Sequence, residues 1–273
     1  MSAIIMDGKK VAAEIEAEIK QAIIDEGLSP KLLIVTDGHD PASKVYIRNK
    51  VKAAERCGIE AIVMSTEEMS PFDIVEYYPE FDGIIVQLPM QNHLDAAYLI
   101  EEIPFKKDVD GLNTNGNLAA SYFSPCTPMG IIRLLDYYDI PIAGKDVVVV
   151  GRSHLVGKPL ARMLLDRDAT VTVCHSKTTD LMRHTLGADI VISATGVPKL
   201  IDNGMVGYCT MAVIDVGINR VDGKICGDVD YASVYEEVYS ITPVPGGVGP
   251  MTVAMLMENT LYAARMRKEE EEC

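Results

Sequence analysis

The sequence predicts an α/β fold of two lobes, a catalytic lobe and a Rossmann-like nucleotide lobe joined by long helices with a cleft between them. Three observations carry that expectation. Short apolar runs recur at residues 32–35, 61–64, 83–87, 146–150, 170–174, 189–193 and 212–216, with helical stretches between them. Strands that are apolar throughout, rather than alternating, belong to parallel sheets covered on both faces. A long connection over residues 89–145 separates the first three runs from the other four, and a glycine turn follows the fourth run and leads directly into a helix.

Taken in order, residues 43–57 scan as a helix, with Ile47, Val51 and Ala54 on one apolar stripe and Gly58 closing it. The connection contains the turn-rich Asp108-Val-Asp-Gly-Leu-Asn113 and then Pro125-Cys-Thr-Pro128. Thr127 suits an N-cap with Pro128 at the first helical position, which opens a bridging helix to about residue 138. The strand at 146–150 runs into Gly151-Arg-Ser-His-Leu-Val-Gly157 and a helix over 158–165. Three glycines and three prolines within residues 242–250 predict irregular structure, followed by a helix over 251–267 and a solvated, frayed acidic run at 268–272. The expected domains are 1–124 with 250–273, and 125–249.

Composition narrows the function. The chain has 273 residues, 48% hydrophobic and 24% charged, enough to bury a core and unlike a disordered chain. Its net charge of −15 would repel phosphate backbones and anionic lipid, so neither nucleic acid nor membrane is an expected partner. No leader pattern or membrane-length apolar run is present, which predicts a cytoplasmic protein. The six cysteines and five histidines are scattered without metal-ligand spacing, so free thiols and no protein-built metal site are expected.

The turn from Gly151 to Gly157 has the form of a dinucleotide site, because bare backbone can approach a pyrophosphate at a helix N-terminus. Its glycine spacing departs from G-x-G-x-x-G, so pattern alone does not separate a cofactor loop from a plain turn. The next strand decides in favour of the cofactor. It ends in His175-Ser-Lys177, where an NAD site normally places a carboxylate on the ribose. Arg152, Ser176 and Lys177 suit a 2′-phosphate, so NADP is expected over NAD. Ala194, Thr195 and Gly196, and then Gly217 and Ile218, end two further strands at the edge where α/β sheets bind ligands.

In the first lobe Tyr46 and Lys50 are four residues apart and share a helix face. Alone, such a pair is ordinary surface decoration. Gln87 adds weight, as a lone amide ending an apolar strand that needs partners if buried, and Asp108 and Asp110 follow in a glycine turn.

Tyr46-x-x-x-Lys50 with Lys52-Ala-Ala-Glu55, Val86-Gln-Leu-Pro89, Lys107-Asp-Val-Asp-Gly111, Pro125-Cys-Thr-Pro128, Gly151-Arg-Ser153 with Val156-Gly157, and Pro245-Gly-Gly-Val-Gly-Pro250 together resemble the bifunctional methylenetetrahydrofolate dehydrogenase/methenyltetrahydrofolate cyclohydrolase family. The resemblance implies oxidation of 5,10-methylenetetrahydrofolate with NADP⁺, then hydrolysis of the methenyl product to 10-formyltetrahydrofolate, within one-carbon metabolism and purine biosynthesis. It makes Lys50 the catalytic lysine, Tyr46 its partner and pterin-stacking residue, Gln87 the amide that tunes it, and Asp110 the carboxylate that holds the pterin. Leu88, Pro89, Pro245, Gly246, Gly247 and Thr252 become folate-pocket residues. Gly151, Arg152, Ser153, Val156, Gly157 and Ser176 become cofactor contacts. A homodimer paired through the NADP lobe is also implied. Met90-Gln91 and Leu112-Asn113 depart from the family's usual residues without removing a catalytic group.

Three rivals stand beside this reading: a shikimate-type or amino-acid NADP dehydrogenase, separable by substrate assay; a monofunctional methylenetetrahydrofolate dehydrogenase; and a non-catalytic NADP-binding protein. The last has no use for Tyr46, Lys50, Gln87 and Asp110 together.

Overall fold

The computed structural model describes residues 2–113 and 122–272. From the N-terminus the elements are β1 (Ile4–Ile5), α1 (Gly8–Glu26), β2 (Lys31–Thr36), α2 (Pro41–Cys57), β3 (Glu60–Ser65), α3 (Pro71–Glu76), β4 (Gly83–Val86), α4 (His93–Glu101) and α5 (Cys126–Tyr137). There follow β5 (Asp146–Val150), α6 (Gly157–Leu165), β6 (Thr170–Cys174), α7 (Leu181–Thr185), β7 (Ile190–Ser193), β8 (Ala212–Asp215), β9 (Asn219–Val221), β10 (Lys224–Cys226), α8 (Tyr231–Val234), β11 (Ser240–Ile241) and α9 (Val248–Glu272).

All seven expected apolar runs are strands. They divide between two compact units, one of residues Ala13–Cys126 with Val253–Cys273, the other of Met1–Ala12 with Thr127–Thr252. The first holds a parallel sheet in the order β3-β2-β4, the second a parallel sheet in the order β1-β11-β8-β7-β5-β6, with β9 and β10 as a separate antiparallel hairpin. Central strands β7 and β8 are buried at every residue, as is edge strand β4, whose outer side is met by Lys107 O through Ile84 N at 2.7 Å, whereas β3 and β6, also at sheet edges, expose some of theirs. That contrast follows from covering: a strand covered on all sides takes a polar residue only where hydrogen-bond partners meet it, as at Ser193 and Asp215, which end β7 and β8.

In each unit the chain order reverses beside a central strand. Chain leaves β2 for β3 on one side and returns to β4 on the other; it likewise leaves β5 for β6 and returns to β7. Ligands bind outside the carboxyl ends of strands at such reversals. Gln87 follows β4 directly, and Gly151 and Ala194 follow β5 and β7.

Several sequence expectations need correction. Residues 1–12 belong to the six-stranded unit, because β1 pairs with β11 and Lys9 N donates to Gly246 O at 3.1 Å. A two-residue strand has no periodicity to read; its ladder partner places it. Helix α5 begins at Cys126, one residue before the expected Thr127 cap. Helix α9 begins at Val248, so Gly249 and Pro250 lie in its first turn, where proline's missing amide does no harm. The acidic end is helical through Glu272, supported by Arg267–Glu271 at 3.4 Å and by a Lys106–Glu270 pair. Within the long connection, Asn92 caps an unforeseen α4 by accepting from Leu94 N.

The last helix returns to the first lobe as expected. Asn259 Nδ2 donates to Val109 O at 2.8 Å, and Arg267 Nε pairs with buried Asp82 at 2.6 Å. Cys57, Cys126, Cys174, Cys209 and Cys226 are free thiols; Cys273 lies outside the described residues. No helix among the described residues is long and apolar enough to cross a membrane.

Candidate active site

Lys50 sits in the third turn of α2 and is only 8% exposed. Its Nζ donates to Gln87 Oε1 at 2.9 Å. Gln87 is fixed from both ends, since its backbone amide donates to Val35 O at 2.8 Å and its Nε2 donates to Leu88 O at 2.7 Å. The amide therefore presents its oxygen, not its nitrogen, to the lysine. Burial pushes the Lys50 amine below the usual lysine range, and the nearby Asp110 carboxylate partly opposes that shift.

Asp110 is half-buried, and burial raises its carboxyl above the ordinary range, opposed by the Lys50 cation and by hydrogen bonds from the Cys126 side chain and backbone. Cys126 is fully buried, its Sγ lies 3.2 Å from Val109 O, and its thiol is raised well above normal by burial and by Asp110. Lys50, Gln87, Asp110 and Cys126 thus form one interacting cluster within the three-stranded unit. Tyr46 lies one turn earlier on α2 and is 36% exposed, enough surface to meet a flat ring. Leu88 is half-buried and Pro89 exposed beside Gln87.

Cys126 was not among the candidate residues, although the Pro125-Cys-Thr-Pro128 motif contains it. Asp108 is a second omission from that set. It is fully buried, accepts from Asn113 N at 2.6 Å, and burial raises its carboxyl to about 6. The two departures from the family pattern have local roles. Asn113 Nδ2 donates to Ile103 O at 2.9 Å, and Gln91 N donates to Asp37 Oδ2 at 2.6 Å, on the wall of a cavity of about 200 Å³ lined by Asp37, His39, Asp40, Pro89, Met90 and Gln91.

The six-stranded unit carries the remaining candidates. Gly151 has φ +120°, and a Cβ there would lie 2.3 Å from Ala194 O; one at Gly157 would lie 2.2 Å from Gly151 O. The turn is therefore bare backbone by necessity, the form a pyrophosphate cradle requires. Ser153 Oγ accepts from Val156 N at 3.1 Å and Gly157 N at 3.4 Å, which caps the turn and leaves its own proton to donate. Arg152 and Ser153 are exposed here, and Ser176 and Lys177 are exposed after the neighbouring strand, whose Cys174 O accepts from Gly151 N at 2.8 Å. These residues fit a phosphorylated dinucleotide.

Thr195 and Gly196 follow β7, Gly217 and Ile218 follow β8, and all four lie at the carboxyl ends of adjacent strands. Pro245 is exposed while Gly246 and Gly247 are buried against the start of α1, where a Cβ on Gly8 would lie 1.9 Å from Gly247 O. Thr252 Oγ1 lies 3.0 Å from Thr127 Oγ1. The structure thus brings Lys50, Gln87 and Asp110 together in one unit and holds Pro245–Gly247 and Thr252 in the other. Among the described residues no group of three or more His, Cys, Asp or Glu is placed to hold a metal.

A nucleotide-type sheet joined in one chain to a smaller sheet bearing a buried amine is the layout of a two-domain nicotinamide-dependent dehydrogenase. Comparison with known proteins makes this specific. Residues 6–110 match the family model described as tetrahydrofolate dehydrogenase/cyclohydrolase, catalytic domain, and residues 125–268 match its NAD(P)-binding domain. The chain is 48% identical over 279 residues to the bifunctional protein FolD of Nitrosospira multiformis, covering 97% of this chain and 96% of that one. The crystal structure of the FolD enzyme from Campylobacter jejuni superposes with a TM-score of 0.88 at 42% identity, covering 97% of this chain and 100% of that one. The Trypanosoma brucei enzyme, solved with NADP and an inhibitor, gives 0.88 at 33% identity, covering 98% of this chain and 99% of that one. The chain belongs to the tetrahydrofolate dehydrogenase/cyclohydrolase family.

Proposed function

We propose that this enzyme oxidises 5,10-methylenetetrahydrofolate to the methenyl form with NADP⁺ and hydrolyses the methenyl form to 10-formyltetrahydrofolate. The observation that carries it is the buried Lys50 amine on Gln87 Oε1 beside Asp110, within a chain of this family. NADP⁺, when bound, takes the hydride from the methylene carbon. The chain's part in that step is alignment, since the folate nitrogens supply the electrons that expel hydride.

Hydrolysis needs a proton acceptor near the bridging carbon. Water adds its oxygen to the methenyl carbon and loses a proton to the neutral Lys50 amine. The ammonium returns that proton to the departing folate nitrogen as the carbon–nitrogen bond breaks, and the second water proton leaves to solvent. A lysine near its ordinary pKa of about 10.4 is a poor base at neutrality, so burial of Lys50 is the chemical requirement of this step. Asp110 accepts hydrogen bonds from the pterin, Tyr46 stacks on it and Leu88 and Pro89 adjoin it; Pro245, Gly246, Gly247 and Thr252 are the other unit's folate contacts by the family resemblance. Arg152, Ser153, Ser176 and Lys177 favour NADP over NAD by contacting the 2′-phosphate. Assay of purified protein for NADPH formation from methylenetetrahydrofolate, with methenyl absorbance followed in parallel, tests both activities; absence of either rejects the bifunctional reading.

In the same reading the protein is a cytoplasmic homodimer that supplies one-carbon units for purine biosynthesis. The exposed edge strand β6 with Val173, and the exposed Leu165 on α6, support pairing through the six-stranded unit. Light scattering at assay concentration tests it.

A further inference from the structure

We infer that Asp228 is a positioning residue for the cofactor edge, one buried carboxylate that sets the turns after β7 and β8 together. The inference rests on the proposed NADP site. Asp228 is fully buried and accepts five hydrogen bonds. Four reach Oδ2, from Ser193 Oγ at 3.1 Å, Thr195 N at 2.7 Å, Thr195 Oγ1 at 2.9 Å and Gly196 N at 3.1 Å. The fifth, from Asn219 Nδ2 at 3.0 Å, reaches Oδ1. A buried carboxylate accepts only, and these donors satisfy it from two separate turns.

A second carboxylate holds the segment that carries the first. Asp215 Oδ1 accepts from Asp228 N at 2.9 Å and Gly217 N at 3.0 Å, and its Oδ2 accepts from Val229 N at 3.0 Å. The packing admits no side chain: a Cβ on Gly217 would lie 2.0 Å from Asp228 Oδ1, and one on Gly227 would lie 1.7 Å from Asp215 Oδ2. Glycine at these two positions is therefore a condition of seating the carboxylates. The amides of Thr195 and Gly196 are committed inward to Asp228. They do not act as the Gly151–Gly157 turn does; what this turn offers a nicotinamide cofactor is a fixed shape, and Asp228 fixes it.

The test compares NADP⁺ affinity, measured by calorimetry, with methenyl hydrolysis assayed without cofactor. Asp228→Ala strands buried donors on both turns and is expected to weaken NADP⁺ binding by about tenfold or more, with hydrolysis held within about twofold of wild type. Asp228→Asn keeps an oxygen for Thr195 and Gly196, and the Asn219 amide can turn over to meet its nitrogen, so affinity within about threefold of wild type is expected. Should the alanine variant not fold, Asn219→Ala removes only the bond to Oδ1, and a selective loss of affinity supports the same conclusion. Unchanged affinity, parallel loss of both readouts, or an asparagine variant as weak as alanine overturns the inference. A wild type that binds no NADP⁺ rejects the cofactor reading instead.

Discussion

Gln87 Oε1 accepts from Lys50 Nζ at 2.9 Å while Gln87 Nε2 donates to Leu88 O at 2.7 Å, so the backbone dictates which end of the amide the lysine meets. An amide oxygen accepts from either protonation state of the amine. Gln87 therefore holds Lys50 in place without forbidding the neutral form, and burial does the lowering.

Lys50→Met keeps the length and apolar bulk of the side chain and removes the amine. Methenyl hydrolysis is expected to disappear into background, while NADPH formation falls by a smaller factor because hydride transfer depends on alignment. Initial rates of the two reactions on one preparation decide it; a variant that hydrolyses normally removes Lys50 from the mechanism.

In the proposed mechanism Asp110 acts on substrate as well as on Lys50, whose pKa its carboxylate raises. Asp110→Ala is expected to raise the folate KM by about tenfold or more with NADP⁺ affinity unchanged, since a charge-assisted contact to the pterin is lost. Asp110→Asn isolates the electrostatics. The carboxylate raises the Lys50 pKa, so neutralising it lowers that pKa further, and the acid limb of the hydrolysis profile moves to lower pH. A limb that moves to higher pH contradicts the assignment.

Arg152 is an exposed cation within the Gly151–Gly157 turn, the proposed phosphate cradle. Arg152→Ala should reduce the preference for NADP over NAD by about tenfold, the loss of one charge-assisted hydrogen bond. Comparative titration with the two cofactors reads this directly, and an unchanged ratio moves recognition to Ser176 and Lys177.

Asp108 links stability to pH. Its carboxyl rises from 3.8 to about 6 on burial, so the folded protein holds a proton that the unfolded chain releases between those values. The contribution is present below pH 4 and is lost as pH rises through about 6. Asp108→Asn mimics the protonated form at every pH. The variant should gain stability over wild type by up to roughly 3 kcal/mol between about pH 4 and pH 7, from the 1.36 kcal/mol carried by each pKa unit. Denaturant unfolding of both proteins across that range measures it; a difference that shrinks with rising pH refutes it.

The central strands were legible because they are apolar throughout, and Gln87 stood out as the one amide ending such a run. Lys50 was legible only in company, since a Tyr/Lys pair on a helix has a surface meaning until a strand-end amide and a turn carboxylate join it. Cys126, Asp108 and Asp228 gave little warning. Each is buried by elements distant in sequence, and an aspartate beside glycine reads first as a turn residue. Asp228 is the sharpest case: its donors come from residues 193–196 and from Asn219, and no local pattern announces their convergence. Strand β1 was hidden for the opposite reason, being too short to carry a pattern.

The pairing of Ile4 with Ser240 and Ile5 with Ile241 also bears on how the chain is made. Strand β1 is synthesised more than 230 residues ahead of β11 and must wait for it before its ladder exists, and β11 in turn depends on β8 to receive it. Contacts of such separation are entropically expensive to close and slow. During synthesis Ile4 and Ile5 stay unpaired until residues 240–241 have been made, so replacing both with serine should alter the yield of native protein more than the chemistry of the finished enzyme.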